Sequence, residues 1–128
     1  MNKPEYLESE LTGKIISCAM EVHRNMGNGF QEKIYQRCLE IELNQRGFTC
    51  KREIQLRLYY KGIFVGMRRF DFLVEDRIMV ELKAVIKLEN AHLAQAINYL
   101  ESSNLKIGLL INFGAKRLEF KRVMKPNK

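Results

Sequence analysis

At 128 residues, with 46% hydrophobic and 29% charged residues, the chain reads as one globular domain, 1–128, large enough for a core of its own. No apolar run approaches the roughly 20 residues of a membrane-spanning helix, and Met1-Asn2-Lys3-Pro4-Glu5 lacks the apolar stretch of a signal peptide. A net charge of +7 favours anionic partners, nucleic acid first and acidic surfaces second, against the plainer reading of a solvated basic surface (Arg52, Arg57, Lys61, Arg68, Arg69, Lys121, Arg122, Lys125).

A first helix is expected from Leu7 to about Met26, because Leu11, Ile15, Cys18, Ala19, Val22 and Met26 recur at helical spacing. Gly27-Asn28-Gly29 breaks it. A second helix is expected from Phe30 to Gln45, with Phe30, Ile34, Cys38 and Ile41 on one face and Tyr35, Leu39 and Leu43 near another, which predicts burial on both sides. Ile54 to Tyr59 alternates as a half-exposed strand, and Lys61-Gly62 turns into a second strand, Ile63 to Val74, in which Gly66 marks a bulge or a close approach. Arg77 to Val85 is the third strand, Glu89 to Glu101 a helix, Leu105 to Phe113 a strand covered on both faces, and Arg117 to Val123 an edge strand. The tail, Lys125 to Lys128, is expected to fray. The order α-α-β-β-β-α-β-β gives an α/β class, an α+β mixed sheet. The strand–helix–strand unit over 77–113 makes its two strands parallel and the rest antiparallel. Cys18, Cys38 and Cys50 are an odd number without metal-ligand spacing, which reads as free thiols in a cytoplasmic setting.

Two carboxylates and a lysine break this apolar pattern. Asp71 lies in Phe70-Asp71-Phe72-Leu73-Val74, and Glu81 and Lys83 lie in Met79-Val80-Glu81-Leu82-Lys83-Ala84-Val85. Charge in such strands is costly unless it is paired or holds an ion. A hairpin centred on Glu75-Asp76-Arg77 sets Asp71 opposite Glu81, with Glu81 and Lys83 on one face. Two carboxylates about 5 Å apart repel by roughly 3 kcal/mol at an effective dielectric of 20. A divalent cation offsets that; so, in part, does a self-compensating cluster with Lys83, and the residue chemistry leaves both readings open. Gly27 and Gly29 have neither P-loop nor dinucleotide spacing, and no Ser-His-Asp or Cys-His arrangement is suggested. Glu21 reads as a surface residue, and His23 as a satisfied residue beside the first apolar stripe.

The form D…E-x-K on a hairpin, followed by a helix and a strand, resembles the PD-(D/E)XK nuclease superfamily. Asp71, Glu81 and Lys83 match its motif, with Phe70 in place of the proline. Gly29-Phe30-Gln31-Glu32-Lys33-Ile34-Tyr35 fits G-x-x-E-x-x-Y. With Glu21-Val22-His23-Arg24, Ala94-Gln95-Ala96-Ile97-Asn98-Tyr99-Leu100 and Gly108-Leu109-Leu110-Ile111-Asn112-Phe113-Gly114, nearly the whole chain is similar to the GxxExxY family, a prokaryotic branch of that superfamily.

The resemblance implies a restriction-endonuclease-like core and a nuclease that hydrolyses DNA with a metal-activated water. Mg²⁺ or Mn²⁺ would be held by Asp71, Glu81, the Leu82 backbone carbonyl and Glu32, with Lys83 assisting the attack. Gln95 and Tyr99 fit the Q-x-x-x-Y element of RecB-like members, and His92 leans toward their helix face; Tyr35 is either core packing or a neighbour of the site. Nucleic acid is the implied partner, DNA before RNA, with no membrane, and superfamily members often dimerise. The alternative function is a catalytically silent nucleic-acid-binding or protein-interaction module that keeps the fold.

Overall fold

The computed structural model describes residues 8–126. The expected helix start at Leu7 and the last tail residues, Asn127 and Lys128, lie outside that range, as does the segment Met1 to Glu5. Among the described residues, α1 (Ser9–Met26) and α2 (Glu32–Gln45) precede β1 (Cys50–Tyr60), β2 (Ile63–Val74) and β3 (Ile78–Lys83). Helix α3 (Asn90–Glu101), β4 (Ile107–Asn112) and β5 (Glu119–Met124) follow. The element order is the expected one. The strands form one mixed five-stranded sheet in the order β1-β2-β3-β4-β5. Only β3 and β4 run parallel, as a crossover through α3 requires.

Two layers of helix enclose the sheet. Ile15, Cys18, Ala19 and Val22 of α1 and Tyr35, Leu39 and Leu43 of α2 pack on one face, against Phe72, Val80, Leu82, Leu109 and Ile111. Ala96, Tyr99 and Leu100 of α3 pack on the other, against Met79, Leu110 and Val123. The central strands β3 and β4 are therefore covered on both sides, which is why their sequences are nearly continuous apolar runs.

Several boundaries and one face differ from expectation. Strand β1 begins at Cys50 rather than Ile54, because Cys50, Lys51 and Arg52 pair with Val74, Leu73 and Phe72. Polar side chains in that stretch hide the strand from alternation alone. Strand β3 ends at Lys83, and α2 begins at Glu32 rather than Phe30. Helix α2 buries a single stripe: Tyr35, Gln36, Leu39 and Leu43 are buried, whereas Phe30, Ile34 and Ile41 are exposed. It covers the sheet with one side only. Cys18 is buried and Cys38 half-buried, and all three cysteines are free. The β1–β2 ladder skips a residue between Leu58 and Tyr59, opposite Val65 and Gly66, so the bulge read from Gly66 is present.

Two features fix the segment that leaves β3. The buried Asn112 amide accepts from the backbone N–H of Val85 and of Gly114 and donates to the Val85 carbonyl and to Glu119. Gly114 lies so close that an added Cβ would sit 2.5 Å from the Val85 nitrogen and oxygen and 2.6 Å from the Ala84 carbonyl carbon. Those are backbone atoms and cannot step aside. Gly114→Ala should destabilise the protein by about 1–3 kcal/mol, read as a lower urea midpoint. Gly29→Ala, where nothing lies within 4 Å of the added methyl, is the matched control.

Candidate metal and nuclease centre

The β2–β3 hairpin is built by its turn. Glu75 and Asp76 take φ of 53° and 55°, and the Arg77 N–H donates to the Val74 carbonyl at 3.0 Å. Two successive left-handed residues match the twist of antiparallel strands. The resulting register pairs Val74 with Ile78, Leu73 with Met79 and Phe72 with Val80. Continued by one step, it sets Asp71 across from Glu81, as the spacing predicted.

The ladder stops at that step, and the Asp71 side chain takes over from it. Its Oδ2 accepts the Leu82 backbone N–H at 2.8 Å, and its Oδ1 accepts Gln36 Nε2 from α2 at 3.0 Å. A kink in the neighbouring strand marks the same place. Glu53, at the position facing Asp71 in the β1–β2 register, has φ 56° and drops out of the pairing. It is held by Lys33 of α2 at 2.7 Å. Phe70 packs in the α3-side core and Phe72 in the α1–α2-side core, although they are two residues apart. A regular strand would put both on one face. The reversal falls at Asp71 and leaves its carboxylate between β2 and β3 rather than squarely on either face.

Glu81 is 6% exposed and shares a hydrogen bond with Asp71. Burial, that hydrogen bond and the Asp71 charge push its carboxyl up to about 9, with Lys83 opposing and Glu32 adding. Two carboxylates meeting away from water cannot both ionise unassisted. Lys83, half-buried, donates from Nζ to Gln95 Oε1 of α3 at 2.9 Å. Glu32, in the first turn of α2, is open to solvent on one side, yet burial on the other raises its carboxyl; Lys83 opposes the rise, Asp71 adds to it and His92 opposes it. Asp71, Glu81, Lys83 and Gln95 therefore converge from β2, β3 and α3, with Glu32 of α2 within electrostatic reach of Lys83 and Asp71.

Tyr99 is 9% exposed and near this group; burial raises its phenol, Glu81 adds to the rise and Arg68 opposes it. His92 Nδ1 accepts the Glu89 N–H at 3.0 Å, completing a capping box at the start of α3. Tyr35 is core: it stacks on Phe113 with ring centres 4.6 Å apart, and its hydroxyl donates to the Gly27 carbonyl and accepts the Phe30 N–H. It ties the glycine turn to the start of α2 and so fixes where Glu32 begins. His23 meets the Ala115 carbonyl through Nε2 at 2.9 Å, and Glu21 pairs with Arg24 on the surface.

Sequence reasoning missed Gln36. Its Nε2 orients Asp71, while its buried Oε1 has no hydrogen-bond partner among the described residues. The available signal was an amide at the stripe spacing of Tyr35, Leu39 and Leu43. The Glu81 carboxyl and the orphaned amide oxygen together test the site's fit for an ion. All the side-chain donors are oxygen, two carboxylates compete for one proton, and a buried acceptor waits for a donor such as an ordered water. That set suits a hard cation that keeps part of its water. Among the described residues no three His, Cys, Asp or Glu side chains close a cage by themselves, so backbone oxygen and water would complete the shell.

No helix of the described residues is long and apolar enough to cross a membrane. No curated protein matches the chain. Among solved structures, SSO0001 superposes with a TM-score of 0.60 at 18% sequence identity, over 75% of this chain and 50% of its own, which is a likeness of fold. The chain spans about half the length of that protein. The family profile described as the PD-(D/E)XK nuclease superfamily matches residues 9–123, a superfamily whose nucleases generally use divalent metal ions. A restriction-endonuclease-like mixed sheet carrying that match places the chain in the PD-(D/E)XK nuclease superfamily.

Proposed function

We propose that the protein is a Mg²⁺- or Mn²⁺-dependent nuclease of the GxxExxY branch that hydrolyses DNA phosphodiester bonds. The observation that carries this reading is the convergence of Asp71 and buried Glu81 at the point where the β2–β3 ladder stops, with Lys83 and Gln95 alongside.

Asp71 and Glu81 would hold the ion, together with the Leu82 carbonyl, since a strand residue turns its N–H and C=O to the same side and the Leu82 N–H meets Asp71. Glu32 would act from the solvent side on the ion's water shell. A bound divalent cation lowers the pKa of a coordinated water and polarises a phosphodiester oxygen. The remaining work falls to the protein's own groups. Gln36 holds the Asp71 carboxylate in place. Gln95 restrains the Lys83 ammonium, which orients the attacking water or faces charge developing on the phosphate. His92 closes the start of α3 on the side of the site nearest Glu32.

The test is a panel of single-stranded, duplex and branched DNA, with RNA beside it, incubated with Mg²⁺ or Mn²⁺. DNA cleavage that stops on chelation and returns with Mn²⁺ supports the reading. Uncut substrates that nonetheless bind tightly would favour the silent binding module instead.

A further inference from the structure

The β1–β2 ribbon reaches past the rest of the sheet. Strand β3 pairs with β2 only over Phe72–Val74, so from Ile54–Phe70 outward to the Lys61-Gly62 turn the two strands, among the described residues, pair only with each other. This span carries Arg57, Lys61, Arg68 and Arg69 and no Asp or Glu. Tyr59, Tyr60, Ile63 and Phe64 are exposed on it. Arg57 is braced against Tyr59 Oη at 3.1 Å and lies 4.4 Å over the Phe64 ring.

Where the ribbon faces α3, an open groove of about 490 Å³ separates them, lined in part by Leu58 and Arg68 from the ribbon and by Ala94, Gln95, Asn98 and Tyr99 from the helix. Among the described residues no carboxylate lines it. The Arg68 guanidinium donates to the neighbouring Met67 carbonyl and meets no carboxylate among the described residues. Gln95 stands in the groove wall with its Oε1 on Lys83 Nζ. The groove therefore joins a free cation to the Lys83 side of the centre.

We infer that this groove is the track for a single nucleic-acid strand, with Arg68 holding a phosphate and Asn98 reading the edge of an unstacked base against Leu58 and Tyr99. The inference rests on the proposed nuclease reading and deepens it by naming the strand state and the residues that hold it. An arginine without a carboxylate is a natural phosphate ligand. An amide between apolar and aromatic surfaces suits a base that has left its stack. Charge decides between partners: Arg69 faces Glu53 at 3.9 Å at the root of the ribbon, but Arg57, Lys61 and Arg68 meet no carboxylate among the described residues, so the ribbon repels a second copy of itself in a two-fold contact, whereas a phosphate backbone neutralises it.

The experiment is fluorescence anisotropy in chelator, with a short labelled single strand and the duplex of the same length, over a salt series. Wild type is compared with Arg68→Ala, Asn98→Ala and Lys14→Ala, the last removing a charge from α1 far along the chain. The single strand should bind more tightly than the duplex. Arg68→Ala should weaken it about tenfold and reduce the log–log salt slope by about 0.7. Asn98→Ala should weaken binding about threefold without changing the slope. Lys14→Ala should do neither, and thermal melts should show all variants folded. Equal loss in Arg68→Ala and Lys14→Ala, tighter duplex binding, no binding by wild type, or a dimer in sedimentation that buries the ribbon would each overturn the inference. A protein that binds through Arg68 yet cuts nothing with Mn²⁺ would sink the nuclease reading alone. Cleavage unimpaired in Arg68→Ala would sink the groove alone.

Discussion

Lys83→Ala is expected to lower DNA cleavage about 100- to 1,000-fold, the loss typical when one preorganised group facing transition-state charge is removed. The fold should survive it. Lys83 is the last residue of β3, half-buried, and among the described residues its ammonium has one side-chain hydrogen-bond partner, Gln95. Glu81→Ala should be at least as damaging, because it leaves Asp71 as the only buried-site carboxylate for an ion. Gln95→Ala should cost less than either, since Gln95 acts by holding Lys83 rather than by meeting the reacting atoms. The order Glu81 and Lys83 above Gln95 is the informative result. Cleavage that persists in both Glu81→Ala and Lys83→Ala would remove these residues from the mechanism.

The second large effect is on stability. With its carboxyl pushed up to about 9, Glu81 keeps its proton in the native state over a range in which the unfolded chain has released it. The native state then binds more protons, so stability is full below about pH 4.5 and is lost as pH rises toward 9. Glu32 is shifted the same way. Glu53 and Glu119 are shifted down, and their contributions are lost only on acidification below the ordinary glutamate range, outside this window. Each pH unit is worth up to about 1.4 kcal/mol for one such group, and 1 kcal/mol moves Tm by about 4 °C in a domain of this size. In chelator, the Tm of wild type should fall by up to roughly 15 °C between pH 5.5 and 8.5 relative to Glu81→Gln. A divalent cation competes with that proton, so Mn²⁺ should raise Tm far more at pH 8.5 than at pH 5.5 and should do little for the variant. Parallel pH profiles for wild type and Glu81→Gln would mean that Lys83 alone compensates an ionised Glu81.

Much of this arrangement is readable before any coordinates. Apolar runs of strand length punctuated by Gly and Asn gave the order of elements, and the equal spacing of Asp71 and Glu81 about Asp76 gave the hairpin register. What stays hidden depends on groups distant in sequence. The strand at Cys50–Arg52 is polar and exists because Phe72 to Val74 pair with it. The left-handed Glu53 carries no signal, since nothing in a glutamate demands φ above zero. Helical spacing marks Phe30, Ile34 and Ile41 as well as it marks Tyr35, Leu39 and Leu43, and only the position of the sheet decides which stripe is buried. Gln36 and Asn112 are amides in apolar company; their meaning appears when Asp71 and Val85 are brought to them.

The central claim is that Asp71 and Glu81 share a divalent cation. A crystal soaked in Mn²⁺ and measured at a wavelength where manganese scatters anomalously tests it most directly. The expected result is a single anomalous peak between the two carboxylates, within ligand distance of the Leu82 carbonyl, that vanishes in Glu81→Gln. An empty site beside a well-ordered Asp71–Glu81 hydrogen bond, in crystals where manganese binds elsewhere on the protein, would contradict it.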